Sequence, residues 1–356
     1  LPTMRSMSVF VAAVLCSLAV STGCGDSAED SLVFGSGSGD DTGAGAGPTS
    51  SFDPSEGGIG GDEEGGTGSV DPRTCAEAEA AKSYVGCDFW PTISPNAVRS
   101  VFDFAVVVAN TGTAEATVSV TGPLATNQTV KVAPGSLAKI FLPWVQNLKG
   151  PEVGSWTPSV IERSGAFHLV SSVPVSVYQF SALEFSSKGG PSGKDWGACL
   201  TNPQPCYAYS NDASLLLPTA ALTGNYRVAG YGQKIPDFVS GGMLTVTGTV
   251  DNTHVNVRLG DGAGTVPGGA DFSITPASHI ISFVVNKGDV ATVNSHGSLG
   301  GSQVTADHPV QAIAANRCEY TTDGSCDHLE EALVPAETLG KHYAVATATG
   351  PSGKAI

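Results

Sequence analysis

Short apolar runs, each ended by a turn signal, are the feature of this 356-residue chain that most restricts its fold. Phe104–Ala109 is a continuous apolar run that stops at Asn110-Thr111-Gly112, and Ala116–Val120 alternates apolar and polar residues. A continuous run of this length is typical of a buried strand, and alternation is typical of a strand with one face in solvent. Strands of this kind, with turn signals every ~8–12 residues, indicate antiparallel sheets rather than βαβ units. We therefore predict a mainly β chain with one short helix, around Cys75–Lys82.

The strand pattern occurs twice along the chain. Val106–Val120 and Leu244–Val257 both read as a strand, a polar turn and an alternating strand. A constant offset of 117 residues relates four further pairs: Pro218 and Pro335, Leu222 and Leu339, Tyr226 and Tyr343, and Val228 and Val345. The repeat predicts tandem antiparallel β-sandwich-like modules, the first over residues 75–240 and the second over 241–356. We expect the second module to be truncated, because the pattern stops soon after Tyr343.

Acidic charge is concentrated outside the predicted modules. The chain has 17 Lys+Arg and 33 Asp+Glu, which gives a net charge of −16. Residues 24–74 contain 14 Gly and 11 Asp+Glu but a single basic residue, Arg73. Such a segment cannot bury enough apolar surface to offset its ordering entropy, so we predict a disordered tether over residues 24–74. An acidic chain repels phosphate backbones, and nucleic acid is therefore not an expected partner.

The N-terminal residues are typical of a secretory signal. Arg5 precedes the apolar run Val9–Val20, which is too short to span a bilayer but fits the apolar region of a signal peptide. Small residues then lead to Cys24, as in a bacterial lipoprotein signal, where the cysteine is acylated. We predict a lipoprotein-type signal peptide over residues 1–23, lipidation of Cys24, and export to the outer membrane or cell surface. Ordinary secretion with an incidental cysteine is the alternative.

The other cysteines are spaced as local pairs. Cys16 lies in the predicted signal, and the remaining six pair as Cys75 with Cys87, Cys199 with Cys206, and Cys318 with Cys326. In an exported chain, three short-range disulfides are the simplest interpretation. A zinc site is the alternative, but no pair has the Cys-x2–4-Cys spacing that zinc sites favour. We predict disulfides and no metal site.

One cluster and one motif carry residues that could support chemistry. Asp327-His328-Leu329-Glu330-Glu331 concentrates side chains that could hold a divalent cation such as calcium, but we interpret it as a solvated loop rim. Ser136-Leu137-Ala138-Lys139 has the spacing of Ser/Lys hydrolases, but it lies in a predicted hairpin rather than at the start of a helix. We therefore predict no catalytic residues and no cofactor.

Two tryptophans indicate where a ligand could bind. Trp156 and Trp196 lie in Gly/Pro-rich loops, where aromatic side chains are often exposed. The loop 186–196 also contains Lys194, and it leads into the Cys199 and Cys206 pair. Because function favours long loops on a rigid scaffold, we predict that Trp156, Lys194 and Trp196 belong to a binding loop.

Several segments, taken in their order along the chain, resemble a known family. They are Pro174–Phe180, Asn211–Pro218, Asp307–Val310, Cys326–Glu331 and Leu339–Tyr343. Together they resemble the IgGFc-binding protein N-terminal domain family, over about residues 84–356. The resemblance implies an exported, β-rich module used in binding or adhesion, and it brings no catalytic motif. It does not imply that this chain binds antibody.

These observations predict a non-enzymatic, surface-anchored lipoprotein for binding or adhesion. Its expected partner is an extracellular protein or glycan of unknown identity, and its expected membrane contact is the lipid anchor alone. Two alternatives stay open. One is an exported hydrolase whose catalytic residues are not adjacent in the sequence, and the other is a structural surface spacer without a specific ligand.

Overall fold

A computed structural model describes residues 71–152, 157–200, 206–208, 212–230, 241–322 and 325–342 of the chain. The predicted signal peptide, Cys24 and nearly all of the predicted tether lie outside these residues, as does Trp156. The described residues are mainly β, as predicted. In chain order, the strands are β1 (Gly86–Phe89), β2 (Phe104–Asn110), β3 (Ala116–Gly122), β4 (Thr126–Val132), β5 (Ser136–Leu142), β6 (Val160–Glu162), β7 (His168–Phe180), β8 (Ala213–Leu216), β9 (Thr223–Arg227), β10 (Gly242–Gly248), β11 (Thr253–Arg258), β12 (Ile280–Val285), β13 (Val290–Asn294), β14 (Gln303–Thr322) and β15 (Ser325–Ala332). The helices are α1 (Cys75–Ala81), α2 (Gln146–Lys149) and α3 (Gly197–Leu200), and the 3-10 turns are Thr219–Ala221 and Ala336–Thr338.

Helix α1 forms where the sequence predicts it, because its first turn is capped. The Thr74 hydroxyl accepts a hydrogen bond from the Glu77 N–H at 3.2 Å, and the Glu77 carboxylate accepts one from the Thr74 N–H at 3.1 Å. This reciprocal capping box satisfies backbone donors that would otherwise lack partners. The Cys75–Cys87 disulfide then ties α1 to β1. Both the helix and the first predicted disulfide are confirmed.

The strands form two antiparallel sheets with the same strand order. In the first sheet the order is β4-β3-β7-β2-β5, and β1 and β8 also pair with β7. In the second sheet the order is β12-β11-β14-β10-β13-β6, and β9 and β15 also pair with β14. The central strands β7 and β14 contain the similar segments Val170–Val177 and Val304–Ile313. The sequence repeat is therefore a repeat of sheet topology.

Strand registers relate the two sheets residue by residue. Val108 on β2 faces Val177 on β7, and Val246 on β10 faces Ala312 on β14. All four side chains are buried in a hydrophobic core. We call the face of each sheet that bears Val108 or Val246 its inner face, and the opposite face its outer face.

The turns that precede β5 and β13 are also equivalent. Gly135 and Gly288 have φ values of 66° and 83°, a backbone conformation that favours glycine. Each glycine donates its N–H to the last residue of the matching strand, Gly135 to the Asn110 carbonyl at 2.8 Å and Gly288 to the Gly248 carbonyl at 2.9 Å. The same turn chemistry thus sets the register of both strand pairs.

Two strands from before residue 241 belong to the second sheet. Strand β6 pairs with β13, and β9 pairs with β14. In the first sheet Phe89 of β1 faces Leu169, and in the second Tyr226 of β9 faces Val304, so β9 occupies the place that β1 has in the first sheet. The predicted division at 240/241 stays a prediction, while the pairing shows that the repeats share strands.

The inner face of the first sheet packs on the outer face of the second sheet. Val108 and Val177 lie in the same hydrophobic core as Val290, Ile313 and Ala332 of the second sheet. The Val290 and Ile313 side chains are fully buried, and burial of such a side chain contributes roughly 1.5–3 kcal/mol. The first core is therefore built from both repeats.

A chain segment that follows β1, residues 90–96, bonds to both sheets, and we call it the seam segment. The Thr92 N–H donates to the Gln179 side-chain oxygen at 3.0 Å, and the Gln179 amide donates back to the Thr92 carbonyl at 2.9 Å. The Thr92 hydroxyl lies 2.9 Å from the Thr247 hydroxyl, and the Gln311 amide donates to the Trp90 carbonyl at 2.7 Å. These groups are buried, so the bonds avoid the cost of leaving polar atoms without partners.

A buried carboxylate, Asp289, fastens the turn before β13 to the first repeat. It accepts hydrogen bonds from the Arg163 guanidinium at 2.6 Å, the Ser164 N–H at 2.9 Å and the Asn286 N–H at 2.9 Å. Burial alone would raise the pKa of Asp289, but these three donors outweigh it and hold the pKa below its usual value. Ionised Asp289 therefore stabilises the contact between the repeats.

Replacement of Asp289 should make stability less dependent on pH. At about pH 7, Asp289→Asn should lower the free energy of unfolding by about 1–3 kcal/mol, because it weakens charge-assisted hydrogen bonds in a buried site. The folded-state pKa is depressed, so this stabilisation is present above the ordinary value of 3.8 and is lost as pH falls through the folded-state pKa. Urea unfolding of both proteins at about pH 7 and about pH 3 measures the difference.

The exposed Asp261 offers a matched control, since Asp261→Asn removes the same charge from a surface turn. It should change the unfolding free energy by less than about 0.5 kcal/mol. A stability difference between wild type and Asp289→Asn that stays constant on acidification would contradict the assigned role of the Asp289 charge.

Candidate binding surface

The loop predicted for recognition is folded around a small core of its own. We call residues 182–208 the stapled segment, because it contains the Cys199–Cys206 disulfide. Its described residues pack with the chain that precedes β2, in a cluster of buried side chains made of Val98, Phe102, Ala182, Cys199, Cys206 and Ala208. The second predicted disulfide is confirmed, and both of its cysteines belong to this small core.

The third cysteine pair is described at one of its two ends. Cys318 on β14 is buried and disulfide-bonded. The side chain of its predicted partner, Cys326 on β15, lies outside the described residues. The pairing of Cys318 with Cys326 therefore stays a prediction.

Lys194, a predicted binding residue, is engaged inside the protein. Its ammonium group forms an ion pair with Asp103 and lies 4.8 Å from the centre of the Trp196 ring. Only 10% of the Lys194 side chain is exposed. Nearby, burial followed by the Asp103 charge raises the pKa of Glu184, although hydrogen bonding and Lys194 oppose the rise. Lys194 thus anchors the stapled segment, and little of it is available to a ligand.

Trp196, which was also predicted to bind a ligand, packs inward as well. Its ring lies 5.5 Å from the Phe102 ring and packs against the small core. Trp196 is half-buried, so part of its ring remains in contact with solvent. The structure therefore brings Lys194 and Trp196 together, and Trp156 lies outside the described residues.

A phenylalanine that the sequence did not single out is the more exposed aromatic residue of the stapled segment. The Phe185 side chain is 54% exposed, and its ring lies 5.1 Å from the Tyr207 ring. The Ala208 N–H donates to the Phe185 carbonyl at 2.8 Å, which fixes the two ends of the segment side by side. Phe185 follows Leu183 and Glu184 directly after a long strand, a position where an aromatic residue is usually read as core. Its place directly before the predicted binding loop 186–196 was the available signal.

A second polar cluster, centred on Asp88, borders a groove of about 720 Å³. The His168 ring nitrogen lies 2.9 Å from the Asp88 carboxylate, and the Thr219 hydroxyl donates to that same carboxylate. Burial opposes ionisation, but these two bonds outweigh it and hold the pKa of Asp88 below its usual value. The His168 ring stacks on Trp90 at 4.2 Å. Thr219 bonds to a weakly basic carboxylate rather than to the imidazole, so the cluster lacks the nucleophile–base arrangement of a hydrolase.

The acidic sequence 327–331 lies on strand β15, and our interpretation of it as a solvated rim is wrong for two of its residues. His328 and Glu330 are buried, because their side chains share one face of the strand. The Glu330 carboxylate accepts hydrogen bonds from the Ser94 hydroxyl at 2.7 Å and from the Gln179 amide at 3.2 Å. One His328 nitrogen lies 2.9 Å from the Asn316 carbonyl and must therefore carry the proton. Glu330 links the seam segment to β7 and β15.

Two further carboxylates, those of Asp212 and Glu331, lie near Glu330. Burial and the charge of Glu330 raise the pKa of Asp212, although the Glu330 N–H, which donates to Asp212, opposes the rise. Burial, together with the charges of Asp212 and Glu330, raises the pKa of Glu331. Across the described residues, no group of three His, Cys, Asp or Glu side chains is arranged to hold a metal ion. The cluster acts as a hydrogen-bonded joint between the repeats.

Comparison with known proteins identifies the family that the second sheet resembles. Residues 212–355 match the family model described as "IgGFc binding protein". The resemblance to this family is confirmed over that range. A human protein named IgGFc-binding protein is 34% identical over 79 residues, which is 22% of this chain and 1% of that protein. No solved structure matches the chain.

The family match covers strands β8 to β15 and the 3-10 turn Ala336–Thr338. Of the first sheet it reaches β8 alone, and the kinship of that sheet with the second rests on strand order and register. Within the part of the chain that is described, no helix is long and apolar enough to cross a membrane. The match is to a binding-protein domain, which is consistent with a protein that is not an enzyme.

Proposed function

We propose that this chain is a non-enzymatic, surface-anchored protein that binds an extracellular protein through its stapled segment. The observation that carries the proposal is the exposed Phe185 ring on a base fixed by a disulfide, an ion pair and a small core. Aromatic residues are enriched where protein interfaces gain most of their affinity. The match to a binding-protein family supports the same role.

Rigidity of the stapled segment favours binding. A loop that is ordered before it meets a partner loses less conformational entropy on association than a mobile loop does. The Cys199–Cys206 bond and the contact of Lys194 with Asp103 supply this order. Disulfides persist in oxidising compartments, which supports an extracellular location.

Anchoring is the second part of the proposal. The signal-like residues 1–23 and Cys24 support a lipid anchor, and the acidic residues 24–74 support a tether. Several acyl chains would hold the protein stably on a membrane, since each buried methylene contributes about 0.8 kcal/mol. Repulsion between carboxylates extends the tether and holds the β modules away from the membrane.

Labelled fatty acid tests the anchor directly. In bacteria that express the full chain, wild type should incorporate labelled palmitate and sediment with membranes. Cys24→Ser should lose both properties, because the thiol that accepts the lipid is gone. Cys16→Ser is the matched control, since it replaces a cysteine that lies in the predicted signal, and it should keep both. Label and membrane association that persist in Cys24→Ser would contradict the proposed anchor.

An array of extracellular proteins and glycans, with immunoglobulin Fc as one probe, tests the binding surface. We include Fc because the human relative is named for it. The full chain should bind at least one protein probe, and Phe185→Ala should weaken that binding at least about tenfold, because a central aromatic contact is lost. Leu124→Ala is the matched control, as Leu124 is 68% exposed in the turn between β3 and β4, and it should bind like wild type.

Three outcomes would contradict this assignment. Equal binding by Phe185→Ala and wild type would place the binding surface elsewhere. Binding confined to glycan probes would contradict a protein partner. No specific binding to any probe would favour the alternative of a structural spacer.

A further inference from the structure

The stapled segment contains a buried carboxylate, Glu184, which the proposed binding surface does not use. Glu184 directly precedes the exposed Phe185 and is itself only 7% exposed. Its Oε2 atom accepts a long hydrogen bond, at 3.4 Å, from the Asp103 N–H. Its Oε1 atom is buried and has no hydrogen-bond partner among the described residues. A buried carboxylate oxygen without a donor is costly when the group is ionised, so the placement of Glu184 requires a physical reason.

The charges around Glu184 are unbalanced. Among the described residues, the charged groups that act on Glu184 are Asp103, directly before β2, and Lys194, in the loop 186–196. The Lys194 ammonium group forms its ion pair with Asp103, and both side chains are largely buried. One buried ammonium group therefore faces two carboxylates, and it pairs with Asp103. Ionised Glu184 leaves the cluster with one negative charge in excess.

The backbone of the loop packs directly on this cluster. Gly190 has a φ of 79°, a conformation that favours glycine. A Cβ atom at Gly190 would lie 3.0 Å from the Glu184 Oε1 atom, 2.6 Å from the Lys194 Cδ atom and 3.6 Å from the Asp103 Oδ2 atom. Because glycine lacks this atom, the loop contacts all three side chains. The packing of the loop must therefore depend on the charge that lies beneath it.

We propose that Glu184 is a proton-dependent clamp on the loop 186–196, in which uptake of one proton from solvent by the Glu184 carboxylate makes the loop pack more firmly on Asp103 and Lys194. A neutral carboxyl group is far less costly to bury than an ionised one, and it leaves the pair of Lys194 with Asp103 as a balanced ion pair. Release of the proton restores the excess charge and favours opening of the loop, which exposes Glu184 to water.

The electrostatic environment sets the direction of the response. Burial, followed by the charge of Asp103, raises the pKa of Glu184, although hydrogen bonding and Lys194 oppose the rise. A carboxyl group whose pKa in the packed loop lies above its ordinary value of 4.5 adds stability as the pH falls through the raised value, and this stability is lost as the pH rises above it. The loop should therefore be held more firmly in mildly acidic than in alkaline surroundings, which is opposite to the effect of Asp289.

The clamp bears on recognition through the chain itself. Phe185 directly follows Glu184, and its carbonyl accepts the hydrogen bond from the Ala208 N–H that joins the two ends of the segment. An ordered loop loses less entropy on association, so mildly acidic surroundings should also strengthen binding. This consequence for binding rests on the proposed function, whereas the clamp itself requires no ligand and is tested without one.

Hydrogen exchange measured by mass spectrometry tests the clamp directly. The full chain is used in a Cys24→Ser background, so that no lipid is attached at that position. Its exchange is compared at about pH 5 and about pH 8, after each rate is corrected for the intrinsic effect of pH on amide exchange. Amides of the loop 186–196 should be protected at least about twofold more strongly at the lower pH.

Substitution of Glu184 assigns the response to one group. Glu184→Gln should give equal protection of the loop at both pH values, because an amide does not titrate and is neutral like the protonated acid. Glu79→Gln is the matched control, since it removes the same charge from an exposed position on α1, and it should keep the response of the parent.

A second variant, Asp103→Asn, keeps the test decisive if Glu184→Gln disrupts the loop. In this variant Glu184 becomes the carboxylate that faces Lys194 and should take over the ion pair. The ionised form of Glu184 is then the favoured one, so the loop should lose protection as the pH falls rather than gain it.

Three outcomes would overturn the clamp. They are loop protection in the parent that stays constant or falls between about pH 8 and about pH 5, an acid response that persists in Glu184→Gln, and an acid response that Glu79→Gln abolishes as completely as Glu184→Gln does. The array separates this inference from the proposed function. An acid response in a chain that binds no probe would refute the proposed function alone, and binding through Phe185 without an acid response would refute the clamp alone.

Discussion

Burial of one sheet's outer face beneath the next sheet is the interaction on which the other features of this protein depend. Ile313 and Val290 leave water only because the first sheet covers them, and Val108 and Val177 of the first sheet gain their packing partners in the same step. Buried polar groups form hydrogen bonds beside the same apolar contact. The seam segment bonds to Gln179, to Thr247 and to the amide of Gln311, and Glu330 accepts a bond from the same segment. Neither repeat completes its core without the other.

The proposed binding surface depends on this packing, because it belongs to the first repeat. The stapled segment follows β7, the central strand of the first sheet. The second sheet fills the inner face of the first sheet, so the outer face is the one that remains exposed. Exposed aromatic and apolar side chains on a rigid layer are well suited to recognition, since little entropy is lost when they meet a partner.

Local sequence patterns predicted the strands and the helix, but not the way in which the repeats join. A continuous apolar run located β2, alternation located β3, and Thr74 with Glu77 explains why α1 begins where it does. The constant offset revealed two repeats. The contribution of β6 and β9 to the second sheet could not be predicted, because the pairing of strands that are far apart in the sequence produces no local periodic pattern.

The burial of Glu330 and His328 was missed for the same reason. A run of polar residues looks solvated until its buried partners, here Ser94 and Gln179, are known. Lys194 and Trp196 lie in the stapled segment, but their inward packing depends on Asp103 and Phe102 from a distant part of the sequence.

Native-state hydrogen exchange of Ile313→Ala tests most directly whether the two repeats form one cooperative unit. In the wild type, the slowest amides of β2 in the first sheet and of β10 in the second should open with the same free energy. Ile313→Ala should lower both values equally, by about 2–5 kcal/mol, because the cavity lies in a core that both sheets share. A loss of protection confined to β10 and its neighbours in the second sheet, with β2 unchanged, would contradict the shared core as the basis of the fold.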